Sequence, residues 1–328
     1  MSELAQLLAA LPDPDAAASR AVEVRASHVL RPPGAFMQLD RVAAWLAGWQ
    51  QTDRPAVDRP HALLFASDHG VATEGVSAYP ATVTAAMMDA VRRGGATAAI
   101  LAREAGATIE VVDVGVGRPT GNLRVESAMS PERFDDAVLA GAAAVDECDT
   151  DLLIIGELGI GNTTAAAAVA AAVVGGEAAD WVGPGTGVTG DALDTKVRVV
   201  DDALRRVGAC PPLESLREVG GAELAAIAGA VAAARRRRLP VVLDGFIVTA
   251  AVAPLAAVEP GALQHCIAGH CSAEPGHRRL LDHLGLTPLL TLDLRLGEGS
   301  GALAAVPLIR MAAAAVIDVA TFEEWGLA

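Results

Sequence analysis

Short, largely apolar runs recur along the chain at His61–Ser67, Thr108–Val114, Asp151–Ile155, Pro240–Leu243 and Leu289–Leu294. Alanine-rich stretches with helical spacing separate them, at Val83–Ala105, Thr163–Val174, Asp191–Val207, Ala222–Arg237, Phe246–Ala257 and Ala302–Ala315. A strand apolar on both faces belongs in a parallel sheet covered on both sides, and the intervening helices supply the crossovers. The pattern therefore predicts an α/β fold: an open, mostly parallel sheet flanked by helices in a Rossmann-like three-layer arrangement, joined by right-handed connections. Before residue 59 the spacing is only helical, broken at Arg31-Pro32-Pro33-Gly34. It predicts a small helical subdomain over 1–58, completed by the tail at about 317–328, beside an α/β catalytic domain over 59–316.

Composition narrows this picture. Apolar residues make up 52% of the 328 and aromatics only 3%, so the core is built from alanine, valine, leucine and isoleucine. The formal net charge of −15 argues against a nucleic-acid partner, because duplex binding needs a concentrated basic face. Of the 25 basic residues, 24 are arginine; the exception is Lys196. The run Arg235–Arg238 stands where a helix ends before a strand and reads as a solvated, dipole-complementing terminus. Cys148, Cys210, Cys266 and Cys271 are too few for a disulfide scaffold and suit a reducing cytosol, so a cytoplasmic location is expected. Met1–Pro12 has Glu3 in place of a basic n-region and reads as no signal peptide. Thr164–Val174 is too short to cross a membrane, and Leu239–Val258 is interrupted by Pro240, Asp244, Gly245 and Pro254, so no membrane association is expected.

The chemistry lies in the loops that follow the strands, where open parallel sheets bind ligands. Ser67-Asp68-His69-Gly70 follows the first apolar run, and Gly156–Gly161 follows the third and leads into a helix. Gly183-Pro184-Gly185-Thr186-Gly187 precedes Lys196, Asp244-Gly245 ends a strand, and Gly297-Glu298-Gly299-Ser300-Gly301 opens the last long helix. Glycine loops at helix starts bring free N–H groups and the positive helix end together, which suits an anion such as phosphate. Gly156–Gly161 could be a variant dinucleotide loop, as in an oxidoreductase, but its spacing is G-x-x-G-x-G and it does not follow the first strand. Val199-Val200-Asp201-Asp202 opens like a phosphoribosyl-diphosphate loop but lacks the Thr and Gly that should follow, and reads as the polar side of a helix. The residues His265, Cys266, His270, Cys271, His277 and His283 match no zinc spacing, so no metal is expected.

Taken in order, SDHGVATEGVSAYP (67–80), RRGGATAAILAREAGA (92–107), VVDVGV (111–116), GELGIGNTT (156–164), VGPGTG…K (182–196), VGGAELAAIAGA (219–230), LDGFIVTAA (243–251), GHCSAEPGH (269–277) and LRLGEGSGA (294–302) resemble the nicotinate-nucleotide:dimethylbenzimidazole phosphoribosyltransferase family of cobalamin nucleotide-loop assembly. The resemblance implies transfer of the 5-phosphoribosyl group from nicotinate mononucleotide to 5,6-dimethylbenzimidazole, releasing nicotinate and giving α-ribazole 5′-phosphate. It also implies a homodimer and small-molecule partners, with no cofactor. The leaving ring is already cationic and no pyrophosphate has to be neutralised, which removes the main reason for Mg²⁺. By position in the motifs, Glu298 is the general base, with Glu157 nearby. Lys196, Gly159, Gly185, Thr186, Gly187 and Ser272 fall on the phosphate side and Asp244 and Gly245 at the ribose, while Arg295, next to the base-pocket position Leu296, either holds the nucleotide or caps a strand. Tyr79, Met87 and Leu296 fall in the base pocket. Ala81, Ala86, Met87 and Met88 stand where the family often carries glutamine. That leaves an acceptor such as another benzimidazole, a purine or a phenol as the alternative within the family.

Overall fold

The computed structural model describes residues 2–327. Three helices come first, α1 (Glu3–Leu7), α2 (Ala16–Ala26) and α3 (Met37–Gln50), then strand β1 (Pro60–Ser67). The helices α4 (Val83–Arg92) and α5 (Thr97–Ala105) lead to β2 (Thr108–Gly115), and α6 (Pro131–Asp146) leads to β3 (Leu152–Leu158). A long helical excursion follows: α7 (Asn162–Val174), α8 (Asp191–Val207), α9 (Pro212–Val219) and α10 (Ala222–Arg236). Then β4 (Val241–Leu243), α11 (Phe246–Val258), β5 (Cys266–His270), α12 (Pro275–Leu284), β6 (Pro288–Leu290) and α13 (Ser300–Ile317) complete the chain. The strands form one six-stranded sheet in the order β2-β1-β3-β4-β5-β6, and every pairing is parallel.

The doubly apolar strands behave as their composition requires. Leu63, Phe65, Leu153, Ile155, Val241 and Leu243 point into one core with the alanines of α7, α10 and α11. Their alternates Ala62, Leu64, Ala66, Ile154 and Val242 point into a second core with α3, α5 and α13. Three layers result, with alternation of period two within each strand. Small residues let the helices approach closely. A Cβ on Gly141 of α6 would stand 1.9 Å from the Ala226 carbonyl of α10, and one on Gly229 of α10 would stand 2.1 Å from the Val138 carbonyl of α6.

Three local expectations are corrected. Val83–Ala105 is two helices, because Gly94 adopts φ +76° and the Gly94 and Gly95 amides bond back to Val91 and Ala90, a helix-ending arrangement. The strand expected over Leu289–Leu294 ends at Leu290; beyond it Leu294 leaves the ladder and its carbonyl accepts from Ala273 N–H. Cys266–His270, expected only as a cluster of polar side chains, is the fifth strand.

At one end, Val22, Ala26, Ala43, Ala44 and Ala47 pack with Val316 and Ile317. Val29 bridges Thr321, and the Arg25 guanidinium donates to the Val316, Ile317 and Val319 carbonyls. Val42 and Leu46 of α3 meanwhile reach the second core beneath the sheet. Among the described residues one helix, Ser300–Ile317, is long and apolar enough to cross a membrane; here it packs on the sheet.

Candidate active site

A pocket of about 440 Å³ opens at the carboxyl ends of the strands. It lies over the ends of β3, β4 and β5, from which Glu157, Gly245 and His270 line it, on the side of the sheet edge where open α/β sheets bind ligands. Eleven of the positions named from sequence line it: Tyr79, Met87, Glu157, Gly159, Gly185, Thr186, Gly245, Ser272, Arg295, Leu296 and Glu298. Lys196, Gly187 and Asp244 do not.

Glu298 sits on a special backbone. Gly297, Glu298 and Gly299 have φ of +79°, +60° and +71°, the left-handed region that costs a non-glycine residue energy. The reason for the turn is close approach. A Cβ on Gly156 of β3 would stand 2.4 Å from the Gly299 nitrogen, and one on Gly297 would stand 2.4 Å from Glu157 Oε1. The start of α13 is thus laid directly on the tip of β3. Glu298 is buried and its Oε2 has no partner. Burial, with Asp244 adding to it, raises its pKa, while a backbone N–H at Ala98 pulls the other way. Desolvation therefore outweighs the lowering expected at a helix start.

Glu157 is pushed up to about 8, first by burial and then by the charges of Asp244 and Glu223, against a lowering hydrogen bond from Asn162. That bond runs from Asn162 Nδ2 to Glu157 Oε2. Two neighbouring carboxyl groups thus differ in environment: one neutral at pH 7, the other carrying an orphan oxygen. Behind them a buried network joins Ser67 Oγ to Glu223 Oε2 and Glu223 Oε1 to His69 Nε2 at 2.6 Å. Gly159 rests against it, since a Cβ there would stand 2.8 Å from the Ser67 carbonyl.

On the opposite wall, Lys196 is fully buried and donates to Thr163 Oγ1 at 2.8 Å and Gly183 O at 2.9 Å. Thr163 lines the pocket, so the lysine supports that wall from behind. Burial brings its pKa down to about 8, and Glu274 opposes the shift. The Gly187 amide bonds to Pro184 O, and the Gly185 amide donates to Glu274 Oε1 at 3.0 Å. Asp244, expected at the ribose, instead accepts from Gly299 N at 3.1 Å and Ala302 N at 2.9 Å, capping α13.

The segment between β5 and α12 orders the rest. Ser272 N–H donates to His277 Nδ1 at 2.8 Å, and an amide only donates, so Nδ1 accepts and Nε2 carries the proton. Nε2 then donates to Thr249 Oγ1 at 3.1 Å, whose hydroxyl donates to Gly245 O at 2.9 Å. Buried His277, held neutral by desolvation with a pKa of about 3, thereby ties Ser272 to Gly245. Glu274 and His270 also line the pocket and were missed as site residues in the sequence; both lie in GHCSAEPGH, which was the available signal. His265 and Cys266 sit at the far end of β5, so the strand separates them from His270 and His277. Among the described residues no group of three or more His, Cys, Asp or Glu is placed to share a metal ion.

The description "Phosphoribosyltransferase" belongs to the family whose pattern matches residues 11–327. The chain is 49% identical to the nicotinate-nucleotide–dimethylbenzimidazole phosphoribosyltransferase of Novosphingobium aromaticivorans, over 97% of this chain and 94% of that protein. It is 48% identical to the enzyme of the same name from Cereibacter sphaeroides, over 97% and 95%. The crystal structure of CobT from Thermus thermophilus superposes with a TM-score of 0.91 at 42% identity, covering 95% of this chain and 99% of that one.

Proposed function

The chain belongs to the nicotinate-nucleotide–dimethylbenzimidazole phosphoribosyltransferase family, and from that premise we propose that it moves the 5-phosphoribosyl group of nicotinate mononucleotide to 5,6-dimethylbenzimidazole in cobalamin nucleotide-loop assembly. The observation that carries the residue-level reading is Glu298, a buried carboxylate with an unpartnered oxygen in a pocket that Tyr79, Met87 and Leu296 also line. In the proposed reaction an azole nitrogen lone pair forms the bond to C1′ of the ribose. The C1′–N bond to nicotinate breaks with its electron pair going to the ring, so the pyridinium leaves as neutral pyridine, and C1′ inverts. The azole N–H proton passes to Glu298. Glu157, protonated at neutral pH, spares the pocket a second full negative charge beside the base.

The phosphate is assigned to the wall of Gly185, Thr186 and Ser272, with Lys196 behind it and Arg295 at the rim. The Gly159 turn closes the floor, and Gly245, held by the His277 relay, adjoins the ribose. Gly187 and Asp244 contribute to loop shape and to the start of α13. The chain is proposed to act as a homodimer in the cytoplasm, with residues 1–58 and the tail forming a helical unit beside the α/β body. Exposed apolar side chains at that end, Met37 and Trp325 among them, support the association. The decisive experiment incubates the protein with nicotinate mononucleotide and a panel of benzimidazoles, purines and phenols, and separates products by mass. Nicotinate release only in the presence of an aromatic acceptor is expected; absence of release with every acceptor sinks the proposal.

A further inference from the structure

Of the three glutamates that line this pocket, Glu274 is the one that the reaction above leaves without a task. It stands at the N-terminal boundary of α12, where a polar side chain ordinarily caps its own helix, yet it makes no such bond. The side chain turns instead to the Gly183–Gly185 turn. Oε1 accepts from the Gly185 amide. Oε2 lies over Gly183, where an added Cβ would be 2.1 Å away, and it is buried with no hydrogen-bond partner. The residue is only 7% exposed and lines the pocket. A desolvated acceptor of this kind is costly until a donor reaches it.

The donors that the substrates bring are few. At neutral pH the phosphate and ring carboxylate of nicotinate mononucleotide are ionised and the pyridinium nitrogen carries no hydrogen, so its strong donors are the two ribose hydroxyls. The acceptor base adds one N–H, already assigned to Glu298. Of the two hydroxyls, the 3′ group adjoins C4′, which carries the phosphate arm, whereas the 2′ group adjoins the reacting C1′. Glu274 shares its wall with Gly185 and Ser272 and faces the charge of Lys196. Asp244, the residue expected at the ribose, has both oxygens engaged by α13 amides. We propose that Glu274 Oε2 accepts the 3′-hydroxyl of the donor ribose, making Glu274 the residue that selects ribosyl over 3′-deoxyribosyl nucleotides. The assignment rests on the phosphoribosyl-transfer reading.

The test compares kcat/KM for nicotinate mononucleotide and its 2′-deoxy and 3′-deoxy analogues, with dimethylbenzimidazole as acceptor, in the wild type and Glu274→Gln. The glutamine carbonyl can keep the Gly185 bond while an amino group replaces Oε2. The wild type is expected to disfavour the 3′-deoxy analogue by about 10- to 100-fold, the range for a lost hydrogen bond to a charged acceptor. Glu274→Gln should shrink that preference to within roughly 3-fold and leave the 2′-deoxy penalty at its wild-type size. A wild type indifferent to the 3′-hydroxyl, or an unchanged preference in the variant, overturns the proposal. So does a lowered KM for the intact nucleotide in the variant, which would make Glu274 a charge opposing the phosphate. If the variant fails to fold by circular dichroism, the wild-type 3′-deoxy penalty decides alone: its presence supports the assignment and its absence overturns it. No transfer from the intact nucleotide in the wild type would fail the parent reading instead.

Discussion

A carboxyl group buried beside other carboxylates must choose a protonation state, and Glu157 shows the consequence for stability as well as chemistry. Its pKa near 8, against an ordinary value of 4.5, means the folded protein holds a proton there that the unfolded chain has released. Stability from this site is therefore lost as pH rises from about 4.5 to 8, by up to about 1.4 kcal/mol per unit. Glu157→Gln should melt at a higher temperature than the wild type, and the gap should widen across that window in a pH series. Glu298→Gln should fold and bind nucleotide normally while kcat falls by about 10²- to 10⁴-fold, the usual worth of a positioned base; steady-state kinetics with a binding isotherm separate the two. Near-wild-type turnover would remove Glu298 from the mechanism. Lys196→Arg keeps the charge, but a Cβ on Gly185 would already be 3.0 Å from the ammonium, so a planar guanidinium has no room. Its KM for nicotinate mononucleotide should rise, and an unchanged KM would return Lys196 to a purely structural place.

At the scale of elements, the loops were readable because glycine and carboxylate positions are local statements, while their partners were not. The sequence marks Asp244 at a strand tip, but only the approach of α13 to β3 reveals that both its oxygens serve helix amides. Likewise GHCSAEPGH reads as scattered imidazoles until β5 and α12 bring His277 under Ser272. The strand β5 itself was hidden because its five residues begin and end on Cys and His, which blur an apolar run. The helix crossing of α6 and α10 supplies the prediction here. Gly229→Ala pushes a methyl into the Val138 carbonyl and should cost about 1–3 kcal/mol in urea unfolding. The fraction that remains folded should keep its kcat, since the crossing is remote from the pocket lining; loss of kcat at full folding would contradict that separation.

For the whole molecule, alternation of apolar runs and alanine-rich stretches was enough to indicate a covered parallel sheet, because a strand buried on both faces has few other homes. The order of strands was not legible, since which edge each crossover reaches depends on packing between residues far apart in sequence. The net charge of −15 acts at this scale too. An anionic nucleotide approaches a repelling field before it meets the turn amides and Lys196, so kcat/KM for nicotinate mononucleotide should rise as ionic strength increases from roughly 10 to 150 mM, where the screening length shortens. Stopped-flow binding at the two salt concentrations checks the sign.

Helix α13 has a consequence for how such a molecule comes into being. Leu64, Ile154 and Val242 share their core with Ala302, Leu303, Val306 and Ile309, residues that leave the ribosome after every strand has been made. Until then that face of the sheet is covered only by the earlier helices α3 and α5, and the helix that will complete the cover is itself apolar enough to suit a bilayer. Synthesis therefore passes through a stage in which the part of the second core that α13 fills is exposed and Glu298 does not yet have its place. The candidate pocket and the last piece of this core are completed by one stretch of chain, since Arg295, Leu296, Gly297 and Glu298 line the one and Ala302, Leu303, Val306 and Ile309 fill the other.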